Sequence, residues 1–183
     1  MTIQTFWKDS AGPITLNADQ NFPGYTVRQI IQTGQLLRTG GRAVRVTFEA
    51  SSINGLSVAS AYIGRVADAG DAYDFASTPT QLKFSTANGF SIAGGASIVS
   101  DIATFSILAG KHLLVSFYVD GAGGRDSLRG VATQAGWYNY WKLANDPATV
   151  DATGYTLNST KVIAAVKRVE IEIEYIPKVI NII

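Results

Sequence analysis

The chain has 183 residues, 46% of them hydrophobic and 16% charged, enough for one domain that buries roughly 70% of its unfolded-chain surface. Fifteen basic against fourteen acidic residues leave a formal charge of +1, too little field to hold a polyanion or an anionic bilayer, so nucleic acid is not expected as a partner. The longest weakly charged stretch, residues 89–110, is rich in Gly and Ser and interrupted by Asp101, so no membrane insertion is expected. With no cysteine, disulfides and thiolate metal sites are excluded and stability must come from packing.

The first residues, "MTIQTFWKDSAGP", lack the basic start and apolar core of a secretory signal, so retention without Sec export is expected. Phe6 and Trp7 stand there as exposed-looking aromatics. Next comes "TVRQIIQTGQLLRTGGRAVRVTF". Val27, Ile30, Ile31, Gly34 and Leu37 recur at helical steps, while the β-branched run, Gly34 and the pair Gly40 and Gly41 argue against a helix. From Gly41 onward the pattern alternates: Val44, Val46 and Phe48 against Arg45, Thr47 and Glu49, a half-buried strand. "LSVASAYIGRV" is expected to alternate through Val58, Ser60, Tyr62 and Gly64, and "QLKFS", "DIATFSIL" and "HLLVSFYVD" add further strand-like runs.

Between the strands lie "SSING", "DAGDAYDFASTP", "TANG" and "AGGAS", all turn chemistry. In the second of these Asp68, Asp71 and Asp74 are weak candidates for a calcium site without EF-hand spacing, against a reading as solvated turn aspartates. His112, the only histidine, opens an apolar strand with no evident catalytic partner, and "RDS" at residues 125–127 sits in a glycine-rich loop expected to be mobile over residues 121–130. "NDPATVDATGYTLNST" reads as a long surface connection. In "KRVEIEIEYI", Val169, Ile171, Ile173 and Tyr175 are expected to face inward and Arg168, Glu170, Glu172 and Glu174 to face water.

The segment "GWYNYWKL" concentrates Trp137, Tyr138, Tyr140 and Trp141. Extended, it sets Trp137 and Trp141 on one side about 13 Å apart and the tyrosines on the other. Aromatic faces stack on the C–H surfaces of sugar rings, with Asn139, Lys142, Arg125 or Asp126 to bind hydroxyls. The competing reading gives one face to the core and the other to a subunit contact. The chain closes on "IPKVINII", whose Val179, Ile180, Ile182 and Ile183, with Phe6 and Trp7, are candidate assembly contacts.

Short strands separated by turns predict an all-β fold, an antiparallel two-sheet β-sandwich of the jelly-roll kind. The expected organisation is an N-terminal extension or assembly arm over residues 1–24, the sandwich over 25–177 and an apolar tail over 178–183. "TVRQII", "GGRAVRVTF", "LSVASAYIGRV", "QLKFS", "GFSIAGGASIVSD" and "HLLVSFYV" together resemble the N-terminal jelly-roll, lectin-like domain of bacterial SGNH (GDSL-type) hydrolases. The resemblance implies that "TVRQII" is a strand despite its helical period. It departs at "EASSING", where the family's corner is rebuilt, and no Gly-Asp-Ser block or Asp-x-x-His pair follows.

What this implies is a non-catalytic, lectin-like structural or adhesion protein without cofactor. The expected setting is a phage or phage-like virion made in a host cytoplasm, as a decoration, spike or fibre subunit. Its expected partners are itself, as a homo-oligomer, other virion subunits and cell-surface polysaccharide. The alternative is a free-standing carbohydrate-binding module that accompanies a separate esterase or polysaccharide-degrading enzyme.

Overall fold

Two-sided burial explains why "TVRQII" imitates a helix. The computed structural model describes residues 2–8, 20–31, 41–121, 127–128, 130–131, 138–158, 162–163 and 165–173. In chain order its first strands are β1 (Thr2–Lys8), β2 (Gln20–Asn21), β3 (Tyr25–Ile31), β4 (Gly41–Glu49) and β5 (Leu56–Arg65). Then come β6 (Thr80–Leu82), β7 (Phe90–Ile92), β8 (Ser97–Val99), β9 (Ala103–Ile107) and β10 (Leu113–Val119). The last are β11 (Ser127–Leu128), β12 (Gly130–Val131), β13 (Tyr138–Lys142), β14 (Thr156–Asn158), β15 (Val162–Ile163) and β16 (Val166–Ile173). In β3, Val27 and Ile31 enter the main core while Ile30 joins a second cluster on the opposite face. Apolar residues on both faces of one strand erase the alternation and leave Val27, Ile30 and Ile31 at helix-like steps around the buried Arg28 and Gln29.

The fold is all-β, built on two antiparallel sheets. One runs β1-β16-β4-β8, with β9 also pairing β4; the other runs β14-β13-β3-β10-β5-β6, with β7 also pairing β5. Two short ribbons, β11-β2 and β12-β15, and isolated bridges between Val66 and Phe75 and between Phe84 and Ala87 add to this pairing. Both main sheets feed one core, Val44, Val46, Phe48, Val169 and Ile171 from the first and Val27, Val58, Ile63, Val115 and Phe117 from the second. At its centre the Phe48 ring lies 5.8, 5.2 and 5.5 Å from those of Phe84, Phe90 and Phe117.

Three expectations need correction. In β5 the alternation changes phase, because Val119 pairs with Val58 and Tyr118 with Ser60, leaving Ala59 as an inserted residue. Leu56, Val58, Ala61 and Ile63 therefore all reach the main core, and Tyr62 falls on the other face from Val58. Gly89 fits beside this bulge because a Cβ there would overlap the Val58 and Ala59 carbonyls. In β16, Glu170 and Glu172 are only 7% and 5% exposed, since the strand lies between β1 and β4 and is not an edge. Arg45 donates to both Glu170 oxygens at 2.8 and 3.1 Å, and Arg42 donates to Glu172 at 2.9 Å. Such pairs offset carboxylate desolvation more than they add net stability. The third concerns the long connection after β13, whose end forms β14 and pairs with β13.

Thr2–Lys8, inside the segment expected to be an arm, pairs with β16 as the edge of the first sheet. The loop expected over residues 121–130 lies largely outside the described residues, but Ser127–Leu128 and Gly130–Val131 pair with β2 and β15. Glu174, Tyr175, Val179, Ile180, Ile182 and Ile183 also lie outside them, as do the side chains of Phe6, Trp7 and Ile173.

The turn between Phe84 and Ala87 holds two non-glycine residues in the left-handed region, Ser85 at φ 50° and Thr86 at φ 74°. Asp101 clamps it, accepting from Ser85 N at 3.1 Å and Thr86 N at 3.0 Å. Left-handed backbone costs an L-residue about 1–2 kcal/mol, so Thr86→Gly is expected to raise the urea unfolding midpoint. Asp101→Ala is expected to lower stability by about 1–3 kcal/mol through loss of both bonds.

Candidate functional site

Alternation along β13 divides its side chains between two environments. Trp141 pairs with Val27 and packs on Phe22 at 5.4 Å, against the main core. Asn139, opposite Gln29, is 1% exposed on the same side. Tyr138 pairs with Ile30, Tyr140 with Arg28 and Lys142 with Thr26, on the outer face of the seven-stranded sheet. The two candidate sugar-stacking tryptophans therefore do not form a shared platform: Trp141 is a core-side residue, and Trp137 lies outside the described residues, as do Arg125 and Asp126. Asn139, proposed to bind hydroxyls, points away from the tyrosine face.

The outer face is organised by Arg28, whose side chain is fully buried. Its Nη1 donates to the Tyr73 carbonyl at 2.5 Å and its Nη2 to the Thr149 carbonyl at 2.5 Å, with the Asp146 carbonyl 3.4 Å away. The guanidinium carbon lies 4.9 Å from the Phe75 ring centre and 4.8 Å from that of Tyr155. One cation thus ties two loops, residues 66–79 and 143–155, onto the sheet. Phe75 reaches the sheet because Gly64 has no side chain; a Cβ there would overlap its ring.

The three aspartates that are weak candidates for a calcium site do separate work in the loops. Asp74 is 6% exposed and accepts from Ala152 N at 3.0 Å and Asp71 N at 3.0 Å, stapling one loop to the other. Asp68 bridges Arg65 and Lys111 at 2.8 and 2.9 Å, and those hydrogen bonds hold its carboxyl below the ordinary value despite the counteracting desolvation. Asp71 accepts from the Tyr73 hydroxyl at 2.7 Å, a bond that, with burial, pushes the phenol up to about 12. No group of three metal-ligating side chains converges among the described residues.

Asp146 accepts from Lys142 at 2.8 Å and from the Tyr155 hydroxyl at 2.8 Å. Burial pushes its carboxyl up, but the Lys142 and Tyr155 bonds and the Arg28 charge outweigh that and hold it below the ordinary value. A carboxyl depressed in the folded state stabilises above its unfolded pKa of about 4 and loses that contribution as pH falls through the folded value. Asp146→Asn is accordingly expected to flatten the loss of stability below about pH 4 in urea titrations.

Above this frame runs a groove of about 260 Å³ lined by Ile30, Val66, Ala72, His112, Tyr138 and Tyr140. Tyr138 is 43% exposed. Tyr140 is half-buried, its ring 5.1 Å from Tyr73, which lies 5.0 Å from Tyr155. Burial raises the Tyr140 and Tyr155 phenols above their ordinary value. His112 is exposed at the groove's rim, and its carbonyl accepts from Val66 N at 3.0 Å. Sequence reading missed Arg28, Phe75 and Tyr155 as a unit; the legible sign was an arginine in a strand beside Val27, Ile30 and Ile31. No protein-family model matches the chain, and no curated protein matches its sequence.

Proposed function

We propose that the chain is a non-catalytic β-sandwich of the jelly-roll kind that recognises carbohydrate through the Tyr138–Tyr140 groove and serves as a decoration, spike or fibre subunit of a phage or phage-like particle. The observation that carries the recognition is the exposed Tyr138 ring beside the braced Tyr140 ring over a ring-sized apolar groove. Tyrosine faces suit the C–H surface of a pyranose, and a tyrosine hydroxyl adds a polar end to an apolar ring. Because Tyr140 already packs on Tyr73, little ordering entropy is lost on binding. The particle setting is supported by the cysteine-free, charge-balanced composition and the apolar terminal segments.

Pairing of β1 with β16 favours a second reading, because it takes part of the proposed arm back into the chain's own sheet. In that reading the same groove belongs to a free-standing carbohydrate-binding module working beside a separate enzyme. A glycan array with wild type, Tyr138→Ala and Tyr140→Ala tests recognition. Wild type is expected to retain a defined set of glycans and Tyr138→Ala to bind them about tenfold more weakly, near 1.4 kcal/mol. Equal binding by the variant, or none by wild type, removes the recognition claim. Mass photometry then separates the settings, since an oligomer supports the particle subunit and a monomer the module.

A further inference from the structure

We infer that a second site, on the outer face of the five-stranded sheet, takes a carboxylate group. A pocket of about 350 Å³ opens there, lined by Thr47, Ser97, Val99, Lys167 and Arg168. Its layout follows from register: Thr47 on β4 pairs with Arg168 on β16 at one side and with Val99 on β8 at the other. Thr47 is 4% exposed, yet among the described residues its Oγ1 has no hydrogen-bond partner. Arg168 Nε is buried and likewise has none among them, its contact with Glu170 being an ionic one at 3.6 Å. Buried polar groups with unspent hydrogen-bonding capacity are uncommon and point to a missing partner.

The chemistry of that partner follows from what lines the pocket. A guanidinium N–H, an ammonium and two hydroxyls can all donate, so the complementary group is an acceptor. Lys167 is held by Glu49 at 3.0 Å, and Glu170 lies against both Arg45 and Arg168. Among the described residues the three cations exceed the two carboxylates by one charge, which matches a monoanion better than a phosphate dianion. Val99, 40% exposed on the pocket wall, suits the carbon skeleton that bears the carboxylate. A uronic acid unit of a glycan and a peptide carboxylate share this chemistry.

The test follows the arginine Nε–H signals of the whole chain by ¹⁵N NMR at low salt. The probes are acetate, methyl galacturonoside, N-acetylalanine, inorganic phosphate and methyl galactoside. The Arg168 signal is expected to move saturably with the three carboxylates, and the tightest of these identifies the source. Methyl galactoside should leave it unmoved, and Thr47→Val should weaken binding about tenfold. A response to the neutral galactoside equal to that of the galacturonoside, tighter binding of phosphate, or no saturable response to any probe overturns the assignment. Arg168→Gln, followed through the Thr47 and Ser97 amide signals, guards against a folding defect in Thr47→Val; retained affinity in both variants also overturns it. Tyr138→Ala should leave carboxylate binding intact, so this site and the tyrosine groove stand or fall separately.

Discussion

Replacing Arg28 by methionine is expected to lower the free energy of unfolding by about 2–4 kcal/mol. Methionine keeps the apolar stem in the same space, so the loss isolates the guanidinium. That group donates to the Tyr73 and Thr149 carbonyls and sits against the Phe75 and Tyr155 rings. Each lost charge-assisted bond is worth about 1.5–3 kcal/mol, and desolvated cation–aromatic contacts add about 1–2 kcal/mol. Relief from burying a charge offsets part of the total. Lysine is not expected to rescue, because one ammonium on a flexible stem does not reproduce a planar fork that reaches two loops. Urea denaturation measures the loss, and limited proteolysis should show cleavage first within residues 66–79 and 143–155. A loss under 1 kcal/mol with unchanged loop protection contradicts the assignment of Arg28 as their anchor.

Phe48→Ala is expected to cost about 3–5 kcal/mol, and to do so globally. Phe48 is fully buried at the meeting of both sheets and touches three further phenylalanine rings, so truncation leaves a cavity that its aromatic neighbours cannot fill. Hydrogen exchange should rise together in β4, β5, β10 and β16, whereas Arg28→Met should act first on the two loops. Tyr138→Ala, at a surface position, should change stability by less than about 0.5 kcal/mol. If Phe48→Ala were as mild as Tyr138→Ala, the two sheets would not share a core.

The strands written by alternation were legible: β4 buries Val44, Val46 and Phe48, and β16 buries Val169 and Ile171. The features that depend on a neighbour were not. Alternation showed that Tyr138 and Trp141 face opposite ways, but only pairing with β3 reveals that Trp141 meets the core and Tyr138 the open groove. The insertion of Ala59 is invisible because a small residue shifts phase without interrupting the apolar pattern. Glu170 and Glu172 looked solvated because their partners Arg45 and Arg42 lie more than a hundred residues away in sequence. The second cluster, built on Ile30, Phe75 and Leu114, was hidden because Phe75 lies in a segment whose aspartates and glycine read as turn.

Ring-selective ¹³C labelling of tyrosine, read by NMR during titration with a glycan retained on the array, probes the groove without altering a residue. The Tyr138 and Tyr140 ring signals are expected to shift saturably together, while Tyr118 on the distant stretch of β10 stays in place. Saturable glycan binding that leaves both groove tyrosines unmoved would contradict the account.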